Sequence, residues 1–274
     1  MQKQQDLQKT AHRIRRDVVD VCVPNGAGHI APSLSSIDIL VALYYRVLRR
    51  TQDPAWDDRD RLVFSKAHGC YGLYAILADI GYLPVNEWRS FYKDSRLSGC
   101  SERHPAWGIE ASCGSLGHGL PMAAGIAFGA RLQDRHYRAH CIVGDGEMQE
   151  GSMWEALQFA VRHELSNLCV IIDANDLQAM DRLDAILTLP GRRDDLRLKT
   201  QAFGCIVDEC NGHDPDRIAA ILEGWSATGP SLRAPQVLIA RTIKGYGLSC
   251  MESVPKYHFR LPTPEELAQG KRYE

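Results

Sequence analysis

The run Gly144-Asp145-Gly146-Glu147 is flanked in a way that leaves few folds open. It is preceded by His140-Cys141-Ile142-Val143, and thirty residues beyond Asp145 comes Asn175, itself preceded by Leu168-Cys169-Val170-Ile171-Ile172. Both apolar runs are short, end in turn-forming residues and read as buried strands. Between them Trp154, Leu157, Val161 and Leu165 recur at steps of three and four, the apolar stripe of a helix. In such a βαβ unit the parallel strands lie roughly 4.8 Å apart, and the crossover helix brings both to end at the same edge. Open α/β sheets bind ligands at that edge, so Asp145 and Asn175 are expected to share one site. Gly144 and Gly146 let the backbone come close to a ligand, and the next helix offers free N–H groups to an anionic phosphate. A carboxylate beside a carboxamide suits a hard cation such as Mg²⁺, which keeps part of its shell for phosphate oxygens. An ordinary strand-to-helix turn is the plainer reading of the same letters.

The alternation continues along the chain. Leu7, Ala11, Ile14 and Val18 predict an amphipathic opening helix that stops at Pro24-Asn25-Gly26. After Gly28-His29-Ile30-Ala31-Pro32-Ser33, a second helix is expected, capped near Ser35 or Ser36 and carrying Ile37, Leu40, Val41, Tyr44 and Leu48. Residues 59–66 read as a strand, followed by His68-Gly69 and a helix over about 71–80. Gly114-Ser115-Leu116-Gly117-His118-Gly119 opens a helix rich in alanine and glycine, and strands at 205–207 and 236–240 flank a helix with Ile218, Ile221 and Leu222. From Asp181 to Lys199 the chain is polar and arginine-rich and reads as a surface segment. Strand and helix in alternation predict a three-layer α/β/α fold with a mainly parallel sheet. With 274 residues and no internal repeat or long linker, one compact domain is expected.

Charge and cysteine usage narrow the class. A net charge of −2, from 32 basic and 34 acidic residues, gives no reason to expect nucleic acid or an anionic membrane as a partner. The opening residues lack the apolar stretch of a signal peptide, and no apolar run reaches the roughly eighteen residues of a membrane span. Nine scattered cysteines without a CxxC pair read as reduced packing residues in a cytoplasmic protein.

The segments GDGEMQEGSMWEA and IIDANDLQ resemble the thiamine diphosphate motif in its transketolase version. RDRLVFSKAHG is similar to the family's RDRFVLSKGHG, and GHIAPSLSSIDIL, GSLGHG, FGCIVDECNGHD, PQVLIARTIKGYG and KYHFRLP match further family blocks from about residue 10 to 262. The resemblance implies that Asp145, Asn175 and the Leu177 carbonyl hold Mg²⁺, or another divalent cation such as Ca²⁺ or Mn²⁺. It implies that His68, His258, Gly144, Gly146 and Glu147 surround the diphosphate, with Gly114 and Leu116 against the thiamine rings. His29, His104 and His258 would orient sugar hydroxyls and exchange protons with them. Taken alone, a loop histidine is more often solvated or structural. Glu150 and Glu155 match glutamates that link two active sites across a subunit interface, although the helix macrodipole alone accounts for acidic residues there. Full-length transketolases often have Asn-Gly or Asn-Asn where this chain has Asn175-Asp176, and the extra carboxylate is expected to weaken diphosphate binding.

The matches cover only a diphosphate-binding domain. The pyrimidine-binding domain, whose glutamate activates the cofactor, and the C-terminal domain are expected on a partner chain, in a heterotetramer with two copies of each. The resemblance therefore implies the N-terminal subunit of a split transketolase, moving a two-carbon ketol unit from a ketose to an aldehyde. A thiamine diphosphate-dependent acyl or acetyl transferase, or a decarboxylase, acting on a 2-keto acid is the alternative with the same cradle. A subunit that only scaffolds an enzyme is a third, against which the intact Asp145 and Asn175 weigh.

Overall fold

The computed structural model describes residues 6–179, 181–187 and 195–270. Five strands, β1 (Arg61–Phe64), β2 (Ala139–Gly144), β3 (Leu168–Ala174), β4 (Ile206–Asn211) and β5 (Gln236–Arg241), form one sheet in the order β1-β2-β3-β5-β4. Every pairing is parallel. The helices are α1 (Leu7–Asn25), α2 (Ile30–Ser35), α3 (Ile37–Ala42), α4 (Tyr71–Asp79), α5 (Val85–Arg89) and α6 (Gly119–Leu132) in the first half. In the second half come α7 (Gly151–Arg162), α8 (Leu183–Ile186), α9 (Leu196–Ala202), α10 (Pro215–Thr228) and α11 (Pro264–Gln269).

The period-two geometry of a strand divides the core in two. Ile142, Cys169, Ile171, Leu238 and Ala240 pack with α1, α3, α4 and α10 on one face. Their neighbours Cys141, Val143, Val170, Ile172, Val237 and Ile239 pack with α6, α7 and α9 on the other. Every residue of β2 and β3 is buried, as strands covered on both faces must be. The three-layer expectation thus holds in detail. All nine cysteines are free, and no helix among the described residues is long and apolar enough to cross a membrane.

Several local expectations give way. The second helix is not one rod capped at Ser35 or Ser36. It starts at Ile30, breaks at Ser36, resumes as α3 and ends in a π-helical turn over Leu43–Val47. Pro32 is tolerated because it lies in the first turn, where backbone N–H groups have no helical partner. Ser35 caps nothing, since its hydroxyl donates to the Asp173 carboxylate 2.7 Å away. In α7 the buried face is Met153, Ala156, Leu157 and Ala160, while Trp154 and Val161 are only half-buried and Leu165 lies beyond the helix. Small alanines let α7 lie close to the sheet, and apolar size alone misled the phase. The expected surface segment falls partly on residues 188–194, outside the described residues, and its end is α9, with Leu196 and Thr200 buried.

Candidate active site

The tips of β2 and β3 are joined as their register requires. Gly144 pairs with Asp173, and the Asp145 N–H extends the ladder by donating to the Asp173 carbonyl at 3.3 Å. Asp145 is 2% exposed, and its carboxylate accepts from the N–H of Gly146 at 2.9 Å and of Asp176 at 2.6 Å. The second bond pulls the turn after β3 onto the tip of β2. Asp176 reaches it with a left-handed backbone, φ 61°, a conformation that Asp, Asn and Gly tolerate better than other residues. That accounts for Asp in place of Gly or Asn. Asn175 is buried beside it, its Oδ1 accepting from the Leu177 N–H at 3.2 Å and its Nδ2 donating to Asp173 Oδ1 at 3.3 Å.

Burial, with the charge of Asp173 added, pushes the Asp145 carboxyl up to about 7. A carboxylate whose charge burial disfavours this much, with the Asn175 carboxamide following on the turn bonded to it, is an oxygen donor set that fits a hard divalent cation. Neither cysteine nor histidine competes at the same point. Among the described residues no group of three His, Cys, Asp or Glu side chains is arranged as a metal site, so a cation here depends on the amide and main-chain oxygens.

Beneath the tips lies a buried ion pair that sequence reasoning did not assign. Lys66 Nζ donates to Asp173 Oδ2 at 2.6 Å, to Ser35 Oγ at 2.9 Å and to the Pro32 carbonyl at 2.9 Å. Thr242, just past β5, donates to the other Asp173 oxygen. Burial raises the Asp173 pKa, but the Lys66 charge and these hydrogen bonds outweigh it and leave the carboxyl below its ordinary value. One aspartate thereby ties the ends of β1, β3 and β5 to α2. The signal was available: a charged residue inside the apolar run Ile171-Ile172-Asp173-Ala174 must be paired.

Three of the predicted histidines converge over these tips. Ring centroids are 5.5 Å apart for His29 and His68, 5.6 Å for His29 and His258, and 4.9 Å for His68 and His258. Burial, then the Lys244 charge, brings His29 down to about 4 and His258 down to about 3. Burial and Lys66 hold His68 well below its ordinary value, so all three are neutral at pH 7. Lys244, 2% exposed and brought down to about 8 by burial and by Lys66, sits 2.9 Å from His258 Nδ1 and donates to the Gln178 carbonyl at 3.4 Å. As an ammonium it donates to Nδ1, which leaves the His258 proton on Nε2. His29 Nδ1 is buried with no hydrogen-bond partner among the described residues. Phe259 packs on His29 at 4.7 Å, and Gly28 is required there because a Cβ would overlap the Phe259 carbonyl oxygen.

The remaining predicted residues surround this centre. Glu147 is buried, and its carboxylate accepts from Ser65 Oγ at 2.5 Å, the Gly117 N–H at 3.0 Å and the Gly144 N–H at 3.3 Å. It braces three segments, with Oε1 taking two of these bonds and Oε2 one. Gly114 and Leu116 are exposed on the braced loop, and a Cβ on Gly114 would meet nothing within 4 Å. Glu150 is exposed at the start of α7 and makes no capping bond; Glu155 is exposed one turn later. His104 does not join the other three. It stacks on Trp107 with centroids 3.6 Å apart, and its buried Nδ1 has no partner among the described residues.

Hard oxygens at two strand tips, two ammonium groups near them and neutral imidazoles thus gather at one edge of the sheet. Residues 7–271 match the family model described as transketolase, thiamine diphosphate binding domain. The chain is 38% identical to an apulose-4-phosphate transketolase subunit from Actinobacillus succinogenes, over 96% of this chain and 93% of that one. It is 35% identical to a 6-deoxy-6-sulfo-D-fructose transketolase subunit from Clostridium sp. (strain MSTE9), over 92% of this chain and 90% of that one. The solved transketolase of Leishmania mexicana superposes with a TM-score of 0.85 at 26% identity, covering 97% of this chain but 41% of that one. Against such full-length enzymes the chain spans about two-fifths of the length.

Proposed function

The chain belongs to the transketolase family, as its thiamine diphosphate-binding domain, and on that premise we propose that it is the N-terminal subunit of a two-component transketolase. It transfers a two-carbon ketol unit from a ketose to an aldehyde together with a partner chain carrying the pyrimidine-binding and C-terminal domains, as a heterotetramer in the cytoplasm. The residues form one diphosphate-binding domain. The observation that carries this reading is the bond from the Asp176 N–H to the Asp145 carboxylate, which brings the Asn175 turn onto the neighbouring strand tip, beside a cluster of three neutral histidines. Relatives of similar extent whose names call them subunits support it further.

Bound thiamine diphosphate supplies a nucleophilic carbon and an electron sink. This chain's residues hold and orient. Asp145, Asn175 and the Leu177 carbonyl take Mg²⁺, with Ca²⁺ or Mn²⁺ as substitutes, and the backbone at Gly144 and Gly146 lies against the diphosphate. His68 and the Nε2–H of His258 donate to diphosphate or substrate oxygens, and Lys244 keeps that tautomer in place. Gly114 and Leu116 cover the thiamine rings. His29 and His104, each with an unpartnered Nδ1, accept or donate at sugar hydroxyls. Glu147 acts as a positioning residue, and Glu150 reaches the interface with the partner chain.

Purified chain mixed with a pyrimidine-domain partner is expected to show ketol transfer that requires both thiamine diphosphate and Mg²⁺. Asp145→Ala is expected to abolish Mg²⁺-dependent thiamine diphosphate binding by calorimetry while leaving the circular dichroism spectrum unchanged. Unaltered cofactor affinity in that variant would overturn the assignment of the metal site.

A further inference from the structure

The opposite edge of the sheet holds a cavity lined by arginines. Its volume is about 610 Å³, and Arg49, Arg131, Arg135, Arg138 and Arg233 line it. Asp60, Arg138 and Asn167, which immediately precede β1, β2 and β3, form its floor. Six residues of β2 therefore separate it from Asp145, roughly 20 Å at the strand rise.

The charges in this cavity do not balance. Arg135 pairs with Asp58 at 2.7 Å, and Arg233 pairs with Glu164 through both carboxylate oxygens. Asp60 accepts from the backbone N–H groups of Arg49 at 2.9 Å and Arg138 at 2.8 Å, and from Nε and Nη2 of the Arg49 guanidinium at 3.4 Å each. Among the described residues no carboxylate reaches the guanidinium group of Arg131 or Arg138. Arg131 donates to the carbonyls of His163 and Glu164 at the end of α7, and Arg138 to the neutral amide of Gln236. Arg138 Nε is buried with no acceptor, and Asn167 Oδ1 is buried with no donor. At the mouth, Glu164 and Arg233 both have a left-handed backbone, each with φ 48°. Such strain in non-glycine residues persists where the surroundings hold it, often at ligand sites.

We propose that this cavity is a second ligand site, remote from the cofactor cradle, which takes the phosphate group of a small hydroxyl-bearing phosphate monoester. Guanidinium forks match phosphate oxygens in shape as well as charge, and among the described residues Arg131 and Arg138 donate only to neutral oxygens. The Asn167 oxygen lacks a donor, which a hydroxyl on the carbon part of the ligand supplies while the phosphate takes the guanidinium groups. The volume suits a phosphorylated metabolite and exceeds what a lone anion fills.

Glycerol 3-phosphate is a suitable probe because it is neither a ketose nor an aldehyde. Titrated calorimetrically into the full chain, it is expected to bind saturably, more tightly than inorganic phosphate, and glycerol is expected not to bind. Arg131→Gln, at an exposed position, and Arg138→Lys, which keeps the charge but removes the Nε–H, should each weaken binding by about tenfold or more, the loss expected for one hydrogen bond to a charged group. Circular dichroism checks that both variants fold. Failure of the wild-type chain to bind the probe overturns the proposal, as does binding unchanged in both variants. Equal affinity for inorganic phosphate overturns the hydroxyl contact.

Discussion

Lys66 and Asp173 meet at 2.6 Å at the carboxyl edge of the sheet, and Arg135 and Asp58 meet at 2.7 Å near its amino edge. The distances are almost the same, but the side chains of the first pair are 4% and 0% exposed and those of the second 39% and 47%. Distance therefore says little about what each pair does. The buried pair has lost its water, and its donors and acceptors are matched by Ser35, Thr242, Asn175 and the Pro32 carbonyl. The exposed pair keeps its hydration and is screened by salt. One edge is built to hold a fixed geometry; the other keeps cationic groups available to solvent.

The largest expected effect tests the buried edge. Asp173→Ala strands the Lys66 ammonium without a counter-charge, and urea unfolding should register a loss of about 3–5 kcal/mol. Removing both charges, as in Lys66→Met with Asp173→Leu, should restore much of it. A single-variant loss as small as that of a surface pair would break the contrast between the edges.

His140 provides the next test, because it lies on β2 between the edges, 1% exposed, with both ring nitrogens unpartnered among the described residues. Burial brings its folded pKa from 6.5 down to about 4, against an opposing pull from Asp60. The unfolded chain then binds the extra proton between those values, so stability falls as pH drops from about 6.5 to about 4, by up to about 3 kcal/mol. His140→Phe should make that part of the pH–stability curve, measured by thermal unfolding, less steep by one proton's share, with His29, His68 and His258 supplying the rest of the slope. An unchanged acid limb would mean that the ring is solvated in the folded protein.

Gly28→Ala comes third. Its Cβ would collide with the Phe259 carbonyl and push away the turn that carries His258, at a cost of about 1–3 kcal/mol. Faster hydrogen exchange across residues 255–262 is the local signature to look for, and exchange like that of the wild type would show that α2 can shift to make room. Arg135→Gln should have the smallest effect, with no resolvable change in the unfolding midpoint at physiological salt. A clear drop would show that the amino edge is more tightly coupled than its exposure suggests.

What the sequence disclosed follows the same division. The tips of β2 and β3 were legible because two apolar runs, a turn and a polar residue thirty positions on form a local pattern with one geometric outcome. The break between α2 and α3 was not. It depends on Ser35 bonding to Asp173, a partner 138 residues away that no helical period announces. Lys66 and Asp173 were likewise visible as letters and invisible as a pair, since strand order decides who meets whom. The arginines of the amino edge come from three distant parts of the chain, Arg49, the stretch from Arg131 to Arg138, and Arg233, and only the fold brings them together.

A single carboxylate, that of Glu147, ties the loop at Gly117, the tip of β1 through Ser65 and the tip of β2 at Gly144. Those three walls can open only together, so the cleft between them has its shape before any guest arrives. Little ordering entropy then remains to be lost on binding, and a guest of the wrong outline meets a rigid mould instead of a pliable one.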